Sequence, residues 1–505
     1  MHGLWLAATL GLAALAVTAA TVWGQTPSER TRDAAAQRER RERDRAVDQA
    51  ADAERRGDAD TRGGQRPLES EPPPPAAPPD GNDHRNDDAQ ADRKPTLDDL
   101  VGVTAMRRRL GVKAPAGRGV VIGQVEGQAG QYLPVTRGRW QGSTAVVAQG
   151  GPSDAFGHAA SVGRKIYGTG GVAPGIEIVH AYPVEAWMKN VLNLGTPKPP
   201  TDTPEKLVNH SWIGDHPRAD RILRRVDHYA DQRGVTIVAG VNNGASPVPH
   251  LLGSAYNVIA VGNADGNNSG GYTRVEVTGR CKPDLVAAGG LTSYTTAAVT
   301  GVVACLLEYV DRMPEAQRAA ARRPEVLKAA LLAGAARDLK WQPDEGKPLD
   351  ETLGAGHVNV DRSLLMLIAG RAAPGKLPVR AGYALEDATV GDTDRYTITT
   401  SRPMGPVGVA LTWHRRIDGR TAVNREARSA RWLDTPRLTD FDLRLVNLDT
   451  GRPVEVSESA IDNVELIHVP ELPPGRYAID VERVGKGLDP QWRYGLAYLF
   501  EPMRD

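Results

Sequence analysis

The chain has 505 residues, with 62 Lys+Arg against 62 Asp+Glu and no formal net charge, a balance that lends no support to nucleic-acid binding or to a polybasic membrane-surface protein. Two cysteines exclude a disulfide-stapled scaffold, and 54 glycines without a three-residue period exclude a collagen-like chain. Hydrophobic residues make up 40% but only 3 are Phe, so any large core is built from Val, Leu, Ile and Ala.

Residues 1–25 carry no charge, and Leu4 to Trp23 is an almost unbroken apolar run with small residues near its end. This predicts a secretory signal peptide; an uncleaved N-terminal anchor is the alternative, because the run is long enough to span a bilayer. Either reading makes the remainder extracytoplasmic: secreted, periplasmic or cell-surface. No other stretch reads as long and apolar enough to cross a membrane. Residues 26–95 hold 14 basic and 17 acidic residues, nine prolines, and only Val47 and Leu68 as large aliphatics. Such a composition buries too little apolar surface to offset chain entropy, so this segment reads as a disordered, charged and Pro-rich tether.

Residues 96–370 alternate short Val/Ile-rich runs with helical patterns, which predicts an α/β domain with a mainly parallel sheet. The expected strands are Gly119–Val125, Ile176–Tyr182, Leu207–Ser211, Val235–Gly240, Val258–Gly262 and Asp284–Ala287. A helix is expected over RADRILRRVDHYADQRG, stopped by Gly234, and another after Thr295. In such sheets sites form at the carboxyl ends of the strands, so the residues just beyond these runs carry the chemistry.

Those residues fall in blocks that resemble a known family. GRGVVIGQVEG (117–127) is similar to the strand that ends in the triad acid of subtilisin-like serine proteases, and DAFGHAASVG (154–163) to their histidine block. GVAPGIEI (171–178), VNHSWIG (208–214), GVTIVAGVNNG (234–244), KPDLVAAG (282–289), LTSYTTAAVTG (291–301) and GAGHVNVDRSL (354–364) follow in the family's order. The resemblance implies a subtilisin-like three-layer fold and hydrolysis of protein or peptide substrates. It implies Ser293 as nucleophile, His158 as general base, Glu126 as orienting acid and Asn242 as a donor to the oxyanion hole. Acid, histidine and serine in that chain order suit serine-protease chemistry. Ser211 and Gly214 are expected on the edge that pairs with substrate backbone.

The sequence departs from the family at several points. Glu126 stands where an aspartate is usual, with Asp154 as the rival acid. Leu291 replaces a glycine and Ala297 a proline. Leu291 raises a second reading, a catalytically inactive relative that binds peptides. Cys281 and Cys305 read either as a disulfide or as two separate buried thiols. No metal-ligand spacing is recognisable and no cofactor is implied; calcium sites, frequent in relatives, are not assignable. Membrane contact is expected only if the N-terminal segment stays uncleaved.

Residues 371–505 show short alternating runs at Arg395–Thr399, Val407–Trp413, Phe441–Val446, Val464–Val469, Arg476–Val481 and Tyr494–Leu499. They predict an all-β sandwich or jelly-roll domain, resembling the accessory domain of many secreted subtilisin-like proteases. Asp440, Asp442, Asp462 and Asn463 either crowd a cation or are polar strand ends.

Overall fold

The computed structural model describes residues 95–134, 142–377, 380–424, 429–485 and 489–503. The leader expected over 1–25 lies outside the described residues, as does the tether of 26–95 apart from Pro95.

Seven parallel strands form the first sheet: β1 (Val121–Val125), β2 (Ala145–Ala148), β3 (Ile178–Tyr182), β4 (Leu207–His210), β5 (Thr236–Gly240), β6 (Val258–Asn263) and β7 (Leu285–Ala287). Their order across the sheet is β7-β6-β5-β4-β1-β3-β2. Six of these strands were expected. The missed strand, β2, lies at the sheet edge and is largely exposed, so it lacks the apolar signature of strands buried on both faces. The principal helices are α1 (Val103–Leu110), α2 (Gly157–Tyr167), α3 (Ala219–Arg233), α4 (Thr292–Asp311), α5 (Pro324–Ala333) and α6 (Val360–Ala369). This is the subtilisin-like α/β fold.

α3 ends as its sequence predicts, at Gly234 in the left-handed region (φ 59°). α4 starts at Thr292, four residues before the expected start after Thr295. By length and composition α4 could cross a membrane, contrary to the expectation that only the N-terminal run could; 83% of its apolar window is buried inside the domain, as in a core helix. Cys305 on α4 and Cys281 before β7 are both buried and free, not bridged.

The second part is a β-sandwich. One sheet contains β8 (Gly375–Lys376), β10 (Thr393–Thr400), β14 (Asp440–Asn447), β15 (Arg452–Ser457) and β17 (Gly475–Val484). The other contains β9 (Ala381–Ala388), β11 (Met404–Thr412), β16 (Val464–Val469) and β18 (Trp492–Pro502). Their inner faces enclose a core that includes Trp413, Phe441, Ile479 and Tyr494. A separate antiparallel hairpin, β12 (Arg416–Asn424) and β13 (Ser429–Arg437), projects from the sandwich onto α3. Its polar sequence gives no strand signal.

The sandwich is packed tightly against the α/β part. α5 lies across β11 and β18, where a Cβ on Gly408 would stand 2.3 Å from the Ala333 carbonyl oxygen. At Gly495 it would stand 2.7 Å from the Glu325 carbonyl carbon. Only glycine allows backbones so close. Asp462 and Asn463 are engaged in this seam: Asp462 accepts from the Cys281 N–H at 2.8 Å, and Asn463 donates to the Tyr256 and Trp413 carbonyls. Asp442 is paired with Arg444. These partners give the polar side chains a structural use.

One charged cluster is fully buried within the α/β part. Asp284 receives Lys282 Nζ at 2.7 Å, Lys328 Nζ at 2.9 Å and the Ala260 N–H at 2.7 Å. Burial pulls the Lys282 ammonium down to about 8 against the opposing pull of Asp284. Removing one partner of a buried ion pair costs about 3–5 kcal/mol because the other charge stays behind. Asp284→Asn is therefore expected to lower unfolding free energy by about that amount in denaturant titration, with little change in native secondary structure.

Candidate active site

The carboxyl ends of β1, β4 and β5 deliver three of the expected residues to one region. Glu126 directly follows β1, and its N–H still pairs with the Tyr182 carbonyl at 3.0 Å. The chain then turns at Gly127 (φ 53°), where a Cβ would lie 2.1 Å from the Gln131 carbonyl oxygen. Glu126 is thus the last residue that strand geometry can aim before the turn.

His158 is the second residue of α2. Gln124 clamps this helix to β1, donating to the Ala159 carbonyl at 2.8 Å and accepting from the Tyr167 hydroxyl at 2.8 Å. The clamp brings His158 Nδ1 to 2.9 Å from Glu126 Oε2. Glu126 is 1% exposed, and its other oxygen, Oε1, has no hydrogen-bond partner. Burial raises the Glu126 carboxyl above its ordinary value, and the His158 hydrogen bond and charge offset only part of that rise. Burial also depresses the His158 imidazole, but its hydrogen bond to Glu126 and the carboxylate charge outweigh it and hold the ring above the usual histidine value. Asp154 lies exposed in a short strand, and its carboxylate makes no hydrogen bond to His158.

Ser293 sits in the first turn of α4, where unpaired N–H groups and the helix dipole favour negative charge. Its N–H meets no acceptor among the described residues. The Ser293 hydroxyl donates to the Ser211 carbonyl at 3.2 Å, so the hydroxyl–imidazole link that completes a triad is not made in this structure. Ser211 Oγ returns a hydrogen bond to the Ser293 carbonyl at 2.9 Å. Behind this pair, Asn209 donates to Ser211 Oγ at 3.0 Å and accepts from Thr300 Oγ1 at 2.9 Å, which locks β4 to α4. Leu291, the N-cap residue, has φ −133° and ψ 143°, extended backbone that needs no glycine.

Asn242, two residues beyond β5, donates from Nδ2 to Ser246 Oγ at 3.2 Å, and its N–H is held by Ser269 Oγ. Its neighbour Asn243, which the sequence shows only as part of a turn, accepts from both the Thr292 N–H (2.8 Å) and the Thr292 hydroxyl (3.0 Å). Asn243 thereby ties the end of β5 to the start of α4. Gly214 has both backbone groups paired with Leu251, N–H to carbonyl at 3.2 Å and carbonyl to N–H at 2.9 Å. Tyr294, also unforeseen, stacks on His158 with ring centroids 6.3 Å apart.

Two other histidine constellations lie outside this region. His210 is fully buried, and burial pushes its pKa down to about 3; it accepts from Trp212 Nε1 at 3.0 Å and is a neutral packing group. Asp231, Glu325 and His414, far apart in the chain, bring ligand atoms within 4.8 Å of one another. Arg323 already lies among them, 2.8 Å from Glu325 and 3.7 Å from Asp231, so a guanidinium supplies the positive charge there.

Residues 145–356 match the sequence model of the subtilase family. They form a subtilase domain. The match includes His158, Asn242 and Ser293 and begins after Glu126. Among solved structures, the protease domain of PatA is similar at 18% identity, covering 51% of this chain and 98% of that one, with a TM-score of 0.38. The prenylagaramide maturation protease PagA is also 18% identical, covering 52% of this chain and 97% of that one, TM-score 0.38. MycP1 without its N-terminal propeptide is 17% identical, covering 52% and 96%, TM-score 0.32. No curated protein sequence matches the chain.

The electrostatics of the subtilase domain give a pH prediction. If His158 serves as a base it does so when neutral, and Glu126 raises the value at which the ring loses its proton. Labelling of Ser293 by a fluorophosphonate is expected to rise with pH through a midpoint above about 6.5, the ordinary histidine value. In Glu126→Gln the raising influence is gone, so the midpoint should move to lower pH. A midpoint that stays put in the variant would detach the imidazole from this carboxylate.

Proposed function

We propose that the protein is an extracytoplasmic serine endopeptidase. The observation that carries this reading is the buried Glu126–His158 pair at 2.9 Å, with Tyr294, the residue after Ser293 in the first turn of α4, stacked on the imidazole. A carboxylate buried in this way needs a partner, and pairing with the imidazole Nδ1 leaves Nε2 as the ring's free proton acceptor.

In this mechanism Ser293 Oγ releases its contact with the Ser211 carbonyl when substrate enters. It attacks the scissile carbonyl as His158 takes its proton, and Glu126 stabilises the imidazolium. The Ser293 N–H and Asn242 Nδ2 receive the developing oxyanion, a contribution of about 3–4 kcal/mol per donor in enzymes of this kind. Collapse expels the amine, which takes the proton from His158, and water then hydrolyses the acyl-enzyme. The Ser211 carbonyl, freed from Ser293, accepts from the substrate backbone. Gly214, already paired with Leu251, holds the end of that edge in place. The N-terminal apolar run supports export or anchoring, and the substrate class is protein or peptide. No cofactor is needed for these steps.

The Ser293–Ser211 hydrogen bond favours one second reading, a peptide-binding protein that does not turn over. Fluorophosphonate labelling separates the two. Wild type should be labelled and Ser293→Ala should not; equal labelling of both, or none of wild type, rules out the peptidase. With a cleavable protein substrate, Glu126→Gln is expected to lower kcat by roughly 10²–10⁴-fold while leaving the unfolding midpoint within a few degrees of wild type. Unchanged turnover would remove Glu126 from the acid role.

A further inference from the structure

Beyond the edge that carries Ser211, the chain runs through Asp215 and His216 to the start of α3 and borders a cavity of about 460 Å³. One wall is α3, with Arg218, Arg221 and Arg225; the facing wall is β13 of the sandwich hairpin, with Arg431, Trp432 and Asp434. Both parts of the molecule are needed to build it. Thr421 on β12 fastens the hairpin here by donating to the Pro197 carbonyl at 2.6 Å.

The charges in this cavity are not balanced. The Arg225 guanidinium lies over the Trp432 ring at 4.4 Å and donates to the carbonyls of Leu192, Thr196 and Lys198, with no carboxylate in contact. Among the described residues, the side chains of Arg218, Arg221 and Arg431 make neither a hydrogen bond nor an ion pair. The one acidic residue lining the space, Asp434, is already held by Arg224 at 3.4 Å, which also binds Glu276 at 2.6 Å. Four arginines therefore line a partly enclosed space with a single carboxylate, Asp434, whose charge is shared with Arg224 outside the lining. Such a site attracts planar anions, for which arginine is geometrically suited.

Position names the ligand. Arg218 is seven residues from Ser211, so at about 3.3 Å per extended residue it lies no more than roughly 23 Å from the Ser293 hydroxyl's partner. An extended peptide reaching from the scissile bond spans that distance in about seven residues. We infer that this cavity is a subsite for carboxylate side chains, selecting substrates with a run of Asp or Glu within about seven residues of the cleaved bond. The inference rests on the peptidase reading for the identity of its ligand, and the binding arm below tests it without cleavage.

The test uses the full chain and pools of quenched fluorogenic peptides with a common randomised core. Each pool carries Asp-Glu-Asp or the neutral Asn-Gln-Asn on one flank, and both flanks are tried. One acidic pool is expected to be cleaved at least about tenfold faster than its amide counterpart at low salt. That gap should close as salt rises and close in the double variant Arg218→Gln/Arg221→Gln, whose fold is checked by its thermal midpoint. Equal rates on both pools, or a preference that survives the double variant, overturns the subsite. If no pool is cleaved, the peptidase reading fails, and fluorescence anisotropy with the same labelled flanking peptides decides the cavity. Tenfold tighter binding of the acidic peptide, lost in the double variant, sustains it; equal binding overturns it.

Discussion

A carboxylate buried at the end of β1, an interior strand of the sheet, is the constraint on which the site depends. Glu126 is nearly inaccessible, and one of its oxygens has the His158 ring as hydrogen-bond partner. The cost of burying an unpaired carboxylate is large enough to dictate structure. It requires α2 to start where the imidazole can reach, and the Gln124 clamp and the turn at Gly127 secure that start. The longer glutamate is accommodated because the ring approaches its Oε2 directly.

A second set of contacts fixes the serine. α4 is buried along most of its length, and its first turn is pinned from two strands: by Asn243 from β5, and by Ser211 with Asn209 from β4. These are hydrogen bonds between side chains and backbone in a low-dielectric setting, where a satisfied network is rigid. The same network gives the Ser293 hydroxyl its acceptor, the Ser211 carbonyl.

The sandwich and the α/β part are packed as one body. Glycines at 408 and 495 let α5 settle directly on its sheet, and Arg415 crosses the seam to Asp227 at 2.5 Å. From this fixed base the β12–β13 hairpin extends over α3 and closes a basic cavity against that helix. A domain attached by a flexible linker could not hold Trp432 against Arg225.

The sequence by itself determined the fold class and most of the parallel sheet, because strands buried on both faces must be apolar throughout. Glu126 and His158 stood out only through the blocks that resemble subtilisin-like proteases, and the structure brings their side chains together. Six sandwich strands were legible for the same reason of alternation. β2 and the β12–β13 hairpin were not, because an exposed edge and an arm supported by another domain need no apolar pattern of their own. Only the tertiary structure decided that Cys281 and Cys305 stay apart, that Leu291 needs no glycine, that Gly214 is already paired, and that the Ser293 hydroxyl rests on Ser211. Each depends on backbone angles or on contacts between residues distant in sequence, which local composition does not encode.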